Sequence, residues 1–402
     1  MTRIVVVEPD GVGGMIHYAY QMCTALAAEG ADVTLFTATS YELAALPHNF
    51  TVVPMMRLWP PIEPRAHHSK ASAVAATVGR KIRRLSRGVR YAREWGRLTR
   101  RILAERPDVA QFAVIRFPFQ AIYLRRLHRA GITLAQVCHE FEPREAGSLT
   151  RSLNRALSMG VYRRFDIIFL HAQENADRFL DHFSVDPSVI RLIPHGNEGM
   201  FLEATDPGGD LRQRYSIPEG VPVVLFFGGI RPSKGVPDLI TAFAMARCEI
   251  DARLVIAGPA VGVEPDELKD LAARLGVATD VTIDDRYLPI AEIGPLIRTS
   301  TVVALPYRSA TASGVLQVAY AFARPVVATA VGALATDVLH GETGLLVPPS
   351  DPEAMAGALI KLLADQTEAT HMGSRARDLA MTTYAWAPIA LSVLVAYEGR
   401  AS

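Results

Sequence analysis

The chain has 402 residues, with 42 Lys and Arg against 41 Asp and Glu, and half of it is hydrophobic. That length suits two or three globular domains with large cores, while the near-neutral balance argues against nucleic acid as a partner. Cys23, Cys138 and Cys248 are isolated and odd in number, so neither a disulfide framework nor a zinc cluster is visible and a reducing compartment is expected.

The first apolar run, IVVV at residues 4–7, is too short for a signal peptide or a membrane span. A cytoplasmic protein is therefore expected. Gly11-Val12-Gly13-Gly14 follows, then the helical MIHYAYQMCTALAAEG, which closes on Gly30 as a C-cap. Those glycines lack the dinucleotide spacing, and the second strand ends in Phe36-Thr37 with no acidic residue, which excludes a bound nicotinamide cofactor.

Apolar strand-like runs alternate with helical segments throughout, the pattern of parallel sheets covered by helices. The first half predicts strands at 3–7, 32–37, 51–54, 108–112, 132–137, 166–170 and 189–194. Residues 80–101, RKIRRLSRGVRYAREWGRLTRR, read as a helix. Leu85, Val89, Ala92, Trp95, Thr99 and Ile102 form one face, and Arg83, Arg87, Arg90, Arg97 and Arg101 crowd the other. Such a face is either solvated or attracted to an anionic membrane or a lipid diphosphate.

His139 ends the strand ITLAQVC, in a loop crowded by Glu140, Glu142, Arg144 and Glu145, and is a candidate functional histidine. His171 and His195 read as structural or supporting. Residues 196–220, rich in Gly, Pro and charge, are the best linker between two doubly wound domains.

The second half predicts strands at 222–227, 253–257, 280–283, 301–305, 325–328 and 344–347. Two of its loops point to a phosphorylated ligand. Gly228-Gly229-Ile230-Arg231-Pro232-Ser233-Lys234-Gly235 lies between a strand end and a helix start, with Arg and Lys available for phosphate oxygens. Residues 306–316 break from a strand into small polar residues, and Ser313-Gly314 opens an apolar helix whose first amides have no internal partner. Both loops leave the carboxyl end of a strand, where open α/β sheets bind their ligands. A last helix at 383–399 carries Trp386, Ile389, Leu391, Leu394 and Tyr397.

The order GVGG, CHE, IPHGN, GGIRPSKG, SGVLQVAYAFARPVVAT and GETGLLVPPSDPEAMAGAL resembles family 4 of the nucleotide-sugar glycosyltransferases over nearly the whole chain. A branch with SGV…AYAF and IRPxKG is the most similar. The resemblance implies an α/β fold of the GT-B kind: two Rossmann-like domains facing each other across a cleft. Residues 1–198 would bind the acceptor, residues 199–383 the nucleotide sugar, and a crossover helix at 384–402 would pack back on the first domain.

The implied activity is transfer of a hexose from a nucleoside diphosphate to a hydroxyl of a glycan or lipid-linked saccharide, with retention. Arg231 and Lys234 would neutralise the diphosphate, and the amides of Gly314, Val315 and Leu316 would complete its cradle. His139 would lie beside the transferred sugar. Gly13 and Gly14 would approach the donor phosphates or the acceptor, and Tyr287 would frame the base. His17 and Glu140 are the acceptor-binding candidates. With those cations in place no metal or other cofactor is expected, and location at the inner face of the plasma membrane is compatible with the basic helix.

The chain departs from the family at three positions, and one is Gly229, where many members have an arginine that Arg231, two residues on, would replace. Ala310 and Val318 stand where many members have glutamates that touch sugar and ribose, leaving Ser309, Ser313 and Gln317 as the nearest polar replacements. The rival readings are a sugar-nucleotide epimerase or hydrolase of the same architecture, a phosphorylase, and a catalytically degenerate scaffold.

Overall fold

The computed structural model describes residues 1–57, 73–115, 117–139, 141, 159–202 and 211–401, and the side chains of all of these except 73–87, 400 and 401. The chain divides into two compact units, Met1–Ile193 with Trp386–Ser402, and Pro194–Ala385. All thirteen expected strands form, each within two residues of its predicted bounds.

Unit 1 holds β1 (Arg3–Val7), β2 (Asp32–Ala38), β3 (Thr51–Met56), β4 (Val109–Phe112), β5 (Thr133–Val137), β6 (Ile167–Leu170) and β7 (Ile190–Leu192). They form one sheet in the order β3-β2-β1-β4-β5-β6-β7, with every pairing parallel. Its longer helices are α1 (Gly14–Ala28), α2 (Ala73–Glu105), α3 (Gln120–His128) and α4 (Gln173–His182).

The buried face of α2 is Tyr91, Trp95, Leu98, Thr99 and Ile102, with Trp95 stacked 5.5 Å from Phe112. The expected face is rotated in one respect: Val89 is 45% exposed. Tyr91 takes its place because the spacing 91, 95, 98, 102 keeps the largest side chains in one stripe. The side chains of Leu85, Arg83 and Arg87 lie outside the described residues.

Unit 2 holds β8 (Val223–Phe227), β9 (Arg253–Ala257), β10 (Val281–Asp284), β11 (Val302–Leu305), β12 (Val326–Thr329) and β13 (Gly344–Val347). Their order, β10-β9-β8-β11-β12-β13, is the doubly wound one and again all parallel. The longer helices are α5 (Val236–Arg247), α6 (Pro265–Arg274), α7 (Ile290–Thr299), α8 (Gly314–Ala321), α9 (Pro352–Ala364) and α10 (Gln366–Thr382). Strands such as VVAL and VVAT are buried along their length, as a sheet covered on both faces requires.

The last helix, α11 (Trp386–Ala401), returns to unit 1. Ile389, Ala390, Val393 and Tyr397 are its buried residues, and the Tyr397 hydroxyl donates to Gln111 Oε1. Of the predicted apolar face, Leu391 is 50% exposed. The run Gln366–Gly399 is apolar and long enough to cross a membrane. It is broken at residues 383–385, and one part belongs to each unit.

Candidate functional site

In unit 2 the strand order reverses between β8 and β11, so the crevice for a ligand lies between the loops that follow these two strands. These are the two loops singled out by composition. Glycines let them meet backbone to backbone. Gly235 has φ +63, and a Cβ there would stand 2.0 Å from the Pro306 carbonyl oxygen. Gly228 has φ +111, and its Cβ would meet Val315 Cγ2 at 3.3 Å. The Arg308 amide donates to the Ser233 carbonyl at 2.9 Å, and the Arg308 guanidinium grips Asp238 at 2.8 and 2.9 Å.

This clamp sets the cations. Lys234 Nζ sits 3.3 Å from the centroid of the Tyr307 ring, a cation–π contact that holds the ammonium over the loop. Tyr307 is fully buried, and its hydroxyl lies 3.3 Å from Ser313 Oγ. Ser313 caps α8 by accepting from the Leu316 amide at 3.3 Å. The expected three-amide cradle is thus reduced, since Leu316 N–H is already engaged. Among the described residues Gly314 N–H and Val315 N–H meet no acceptor. Arg231 is exposed, and its guanidinium pairs with no carboxylate among the described residues. Ser309 is exposed as well.

His195 of the IPHGN segment and Glu198, the residue that follows it, border the start of α8. A Cβ on Gly314 would lie 3.6 Å from Glu198 Oε1 and 3.7 Å from His195 Cε1. His195 is buried, which lowers its pKa to about 4 and keeps it neutral. Glu198, 3% exposed, was not foreseen because nothing in its spacing marks it. Ala310 and Val318 are both packed in the core of unit 2, where glutamates would be buried charges. Gln317 is 1% exposed, and neither polar atom of its amide has a hydrogen-bond partner among the described residues. Tyr287 follows a knot in which Arg286 bonds Asp284 at 3.0 Å and Glu292 at 2.5 Å, while Tyr215 donates to Asp284 at 2.9 Å.

In unit 1 the turn after β1 is held by Glu42, another residue without a sequence signal. Its Oε1 accepts from the Gly13 amide at 2.6 Å and lies 2.8 Å from His17 Nε2. Gly13 has φ +91, a conformation that favours glycine, and Gly14 is exposed at the start of α1. His17 is buried and engaged by this carboxylate. His139 follows β5, its Nδ1 3.0 Å from His171 Nε2, and the Tyr18 ring stands edge-on to it at 4.4 Å. Glu140 lies outside the described residues.

Two family models match, Glycosyltransferase Family 4 over residues 12–197 and Glycosyl transferases group 1 over residues 221–365. D-inositol 3-phosphate glycosyltransferase 1 of Catenulispora acidiphila is 30% identical over 285 residues, 67% of each chain. The chain belongs to this glycosyltransferase family. The D-inositol 3-phosphate glycosyltransferase of Corynebacterium glutamicum is 32% identical across 58% of this chain and 57% of that protein. The match thus spans little more than half the length of that relative. Sucrose-phosphate synthase from Thermosynechococcus elongatus superposes with a TM-score of 0.73 at 19% identity, covering 100% of this chain and 99% of that one. Anabaena Alr3699/HepE, solved in complex with UDP and glucose, gives 0.72 at 19% identity, covering 99% and 100%. The glycosyltransferase has the GT-B fold.

Proposed function

We propose that this glycosyltransferase moves a hexose from a nucleoside-diphosphate sugar to a hydroxyl of a glycan or lipid-linked saccharide, with retention. The observation that carries the reading is the crevice beside β8 and β11, where Arg231, Lys234 and the open amides of Gly314 and Val315 come from two interlocked loops. The UDP and glucose bound to HepE support a sugar nucleotide as the donor. Unit 2 would hold that donor, with Tyr287 beside the base and Gln317 and Ser309 toward its hydroxyls. Unit 1 would supply the acceptor contacts through His17 and Glu140, and His139 beside the sugar.

Negative charge develops on the diphosphate as the glycosidic bond breaks, so cations already in place lower the barrier without reorganising. The acceptor hydroxyl would arrive on the face that the diphosphate leaves, which gives retention without a protein nucleophile. Because two cations and a helix start supply the positive potential, no divalent metal is needed.

The test is turnover with a panel of sugar nucleotides and acceptors, inositol phosphate included, in the presence of EDTA. Full activity in EDTA is expected, and strict metal dependence would refute the charge assignment. Arg231→Ala should lower kcat by about tenfold to a thousandfold, the upper end being the cost of one charge-stabilising donor. The burial of Ala310 and Val318 favours one other reading, a scaffold that binds without turnover. Transfer to any acceptor rejects it.

A further inference from the structure

We infer that His171 is a positioning residue that locks His139 in one tautomer, with the proton on Nδ1 and the lone pair on Nε2. The inference rests on the reading that places His139 beside the sugar, and it assigns the direction of the hydrogen bond made there. It begins with sheet register. β5 and β6 pair in parallel with Val137 opposite Phe169, and the Cys138 amide continues the ladder to the Phe169 carbonyl at 2.9 Å. Two residues further on, His139 and His171 stand opposite each other at the carboxyl ends of adjacent strands. Their rings lie 4.7 Å apart.

The polarity of the pair follows from its far end. His171 Nδ1 lies 3.2 Å from the Ile193 carbonyl oxygen, which can only accept, so the His171 proton is on Nδ1. A neutral His171 then offers a lone pair at Nε2. His139 Nδ1, 3.0 Å away, must donate to it. His139 is left with an acceptor nitrogen at Nε2, suited to a hydroxyl hydrogen and unsuited to donating to a ring or glycosidic oxygen. Tyr18, 2% exposed, holds both ring planes, edge-on to His139 at 4.4 Å and to His171 at 5.8 Å. The Trp386 ring of α11 lies 5.1 Å from Tyr18, so neither imidazole can turn without disturbing packed aromatics.

His171 thus does for His139 what a backbone carbonyl or carboxylate does for many functional histidines, with one difference. An imidazole acceptor carries no charge, so it sets the tautomer without drawing a second proton onto its partner.

The test uses the full chain labelled with 15N at histidine, read by long-range proton–nitrogen correlation without ligand. His139 is assigned from the signal that vanishes in His139→Asn. A protonated Nδ1 and a bare Nε2 on His139 are expected. In His171→Phe the tautomer should shift toward Nε2–H, while His171→Gln, whose amide can accept from His139 and donate to Ile193, should restore the wild-type pattern. In steady-state kinetics His171→Phe should lower kcat by about tenfold, the worth of one hydrogen bond, with the donor KM unchanged and rescue by Gln. A protonated Nε2 in the wild type, or rescue by Phe equal to that by Gln, overturns the inference. The proton assignment is read without turnover, so it stands or falls separately from the transferase reading. If His139→Ala transfers sugar at the wild-type rate, it is the placement of His139 beside the sugar that fails.

Discussion

A buried amide with nothing to bond is costly. The loss is on the order of 1–3 kcal/mol for each unmade hydrogen bond, and Gln317 leaves both of its polar atoms in that state among the described residues. It lies three residues beyond Gly314 on α8, on the same helical face, and helical side chains lean toward the amino terminus. Its Cα–Cβ bond therefore leans toward the start of the helix, where the donor is proposed to sit and where Ala310 and Val318 supply no carboxylate. Gln317→Leu should raise the melting temperature of the ligand-free protein by roughly 2–6 °C and weaken sugar-nucleotide binding about tenfold or more. Calorimetry with and without the donor reads both effects. A lower melting temperature with unchanged affinity would show that Gln317 has a structural partner instead. At this scale the sequence exposed residues that stand inside a motif, such as Arg231, Lys234 and Ser313. Glu42 and Glu198 were invisible because each reaches its partners only through the fold, Glu42 from a loop 29 residues beyond Gly13.

The membrane contact proposed for this chain would rest on α2. Its exposed side, with α3, borders a groove of about 550 Å³ lined by Val89, Ala92, Arg93, Gly96, Arg97, Arg100 and Tyr123. Nearby, Phe117 is 40% exposed and packs its ring 4.9 Å from Tyr91, and Ile122 on α3 is 71% exposed. We propose that these basic residues, flanked by open apolar ones, meet an anionic lipid surface. Part of the positive charge is already used: Arg97 pairs with Glu94 at 3.0 Å and Arg101 with Glu105 at 2.7 Å. Arg93 has no such partner among the described residues. Reversing Arg93, Arg97 and Arg100 to Glu should cut binding to phosphatidylserine vesicles by about a hundredfold at low salt, since each basic residue near the surface contributes about 1 kcal/mol. Turnover on a water-soluble acceptor should persist. Equal vesicle binding by both forms, measured by sedimentation, would leave this face merely solvated. The helix itself was legible from its spacing, but its rotation was not, because tertiary packing chose Tyr91 over Val89.

For the whole molecule, the positions of the strands were readable from alternating apolar runs, since a parallel sheet buried on both faces leaves little choice of residue type. The place where the chain passes between units was less readable. Composition pointed to residues 196–220, yet the passages fall at Ile193–Pro194 and Ala385–Trp386. Hydrogen bonds decide this, because the Asn197 amide donates to the Tyr384 carbonyl at 2.8 Å and its Nδ2 to the Ala380 carbonyl at 2.9 Å. The residues after the first passage are thereby tied to those before the second, inside unit 2. Burial raises the pKa of the Asp337 carboxyl to about 6, and the nearby Tyr384 hydroxyl offsets only part of that rise. The sign follows from the ordinary value of 3.8. A folded state that binds the proton more tightly than the unfolded chain gains stability that is complete below pH ~3.8 and is lost as pH rises through ~6. At pH 8 the ionised carboxylate should therefore weigh against unit 2 by up to about 3 kcal/mol. Asp337→Asn keeps the size of the side chain and its acceptor oxygen and removes the charge. Its melting temperature should exceed that of the wild type by several degrees at pH 8, and the gap should close as pH falls to about 4. A gap that does not change with pH would mean that Asp337 keeps its charge there without cost.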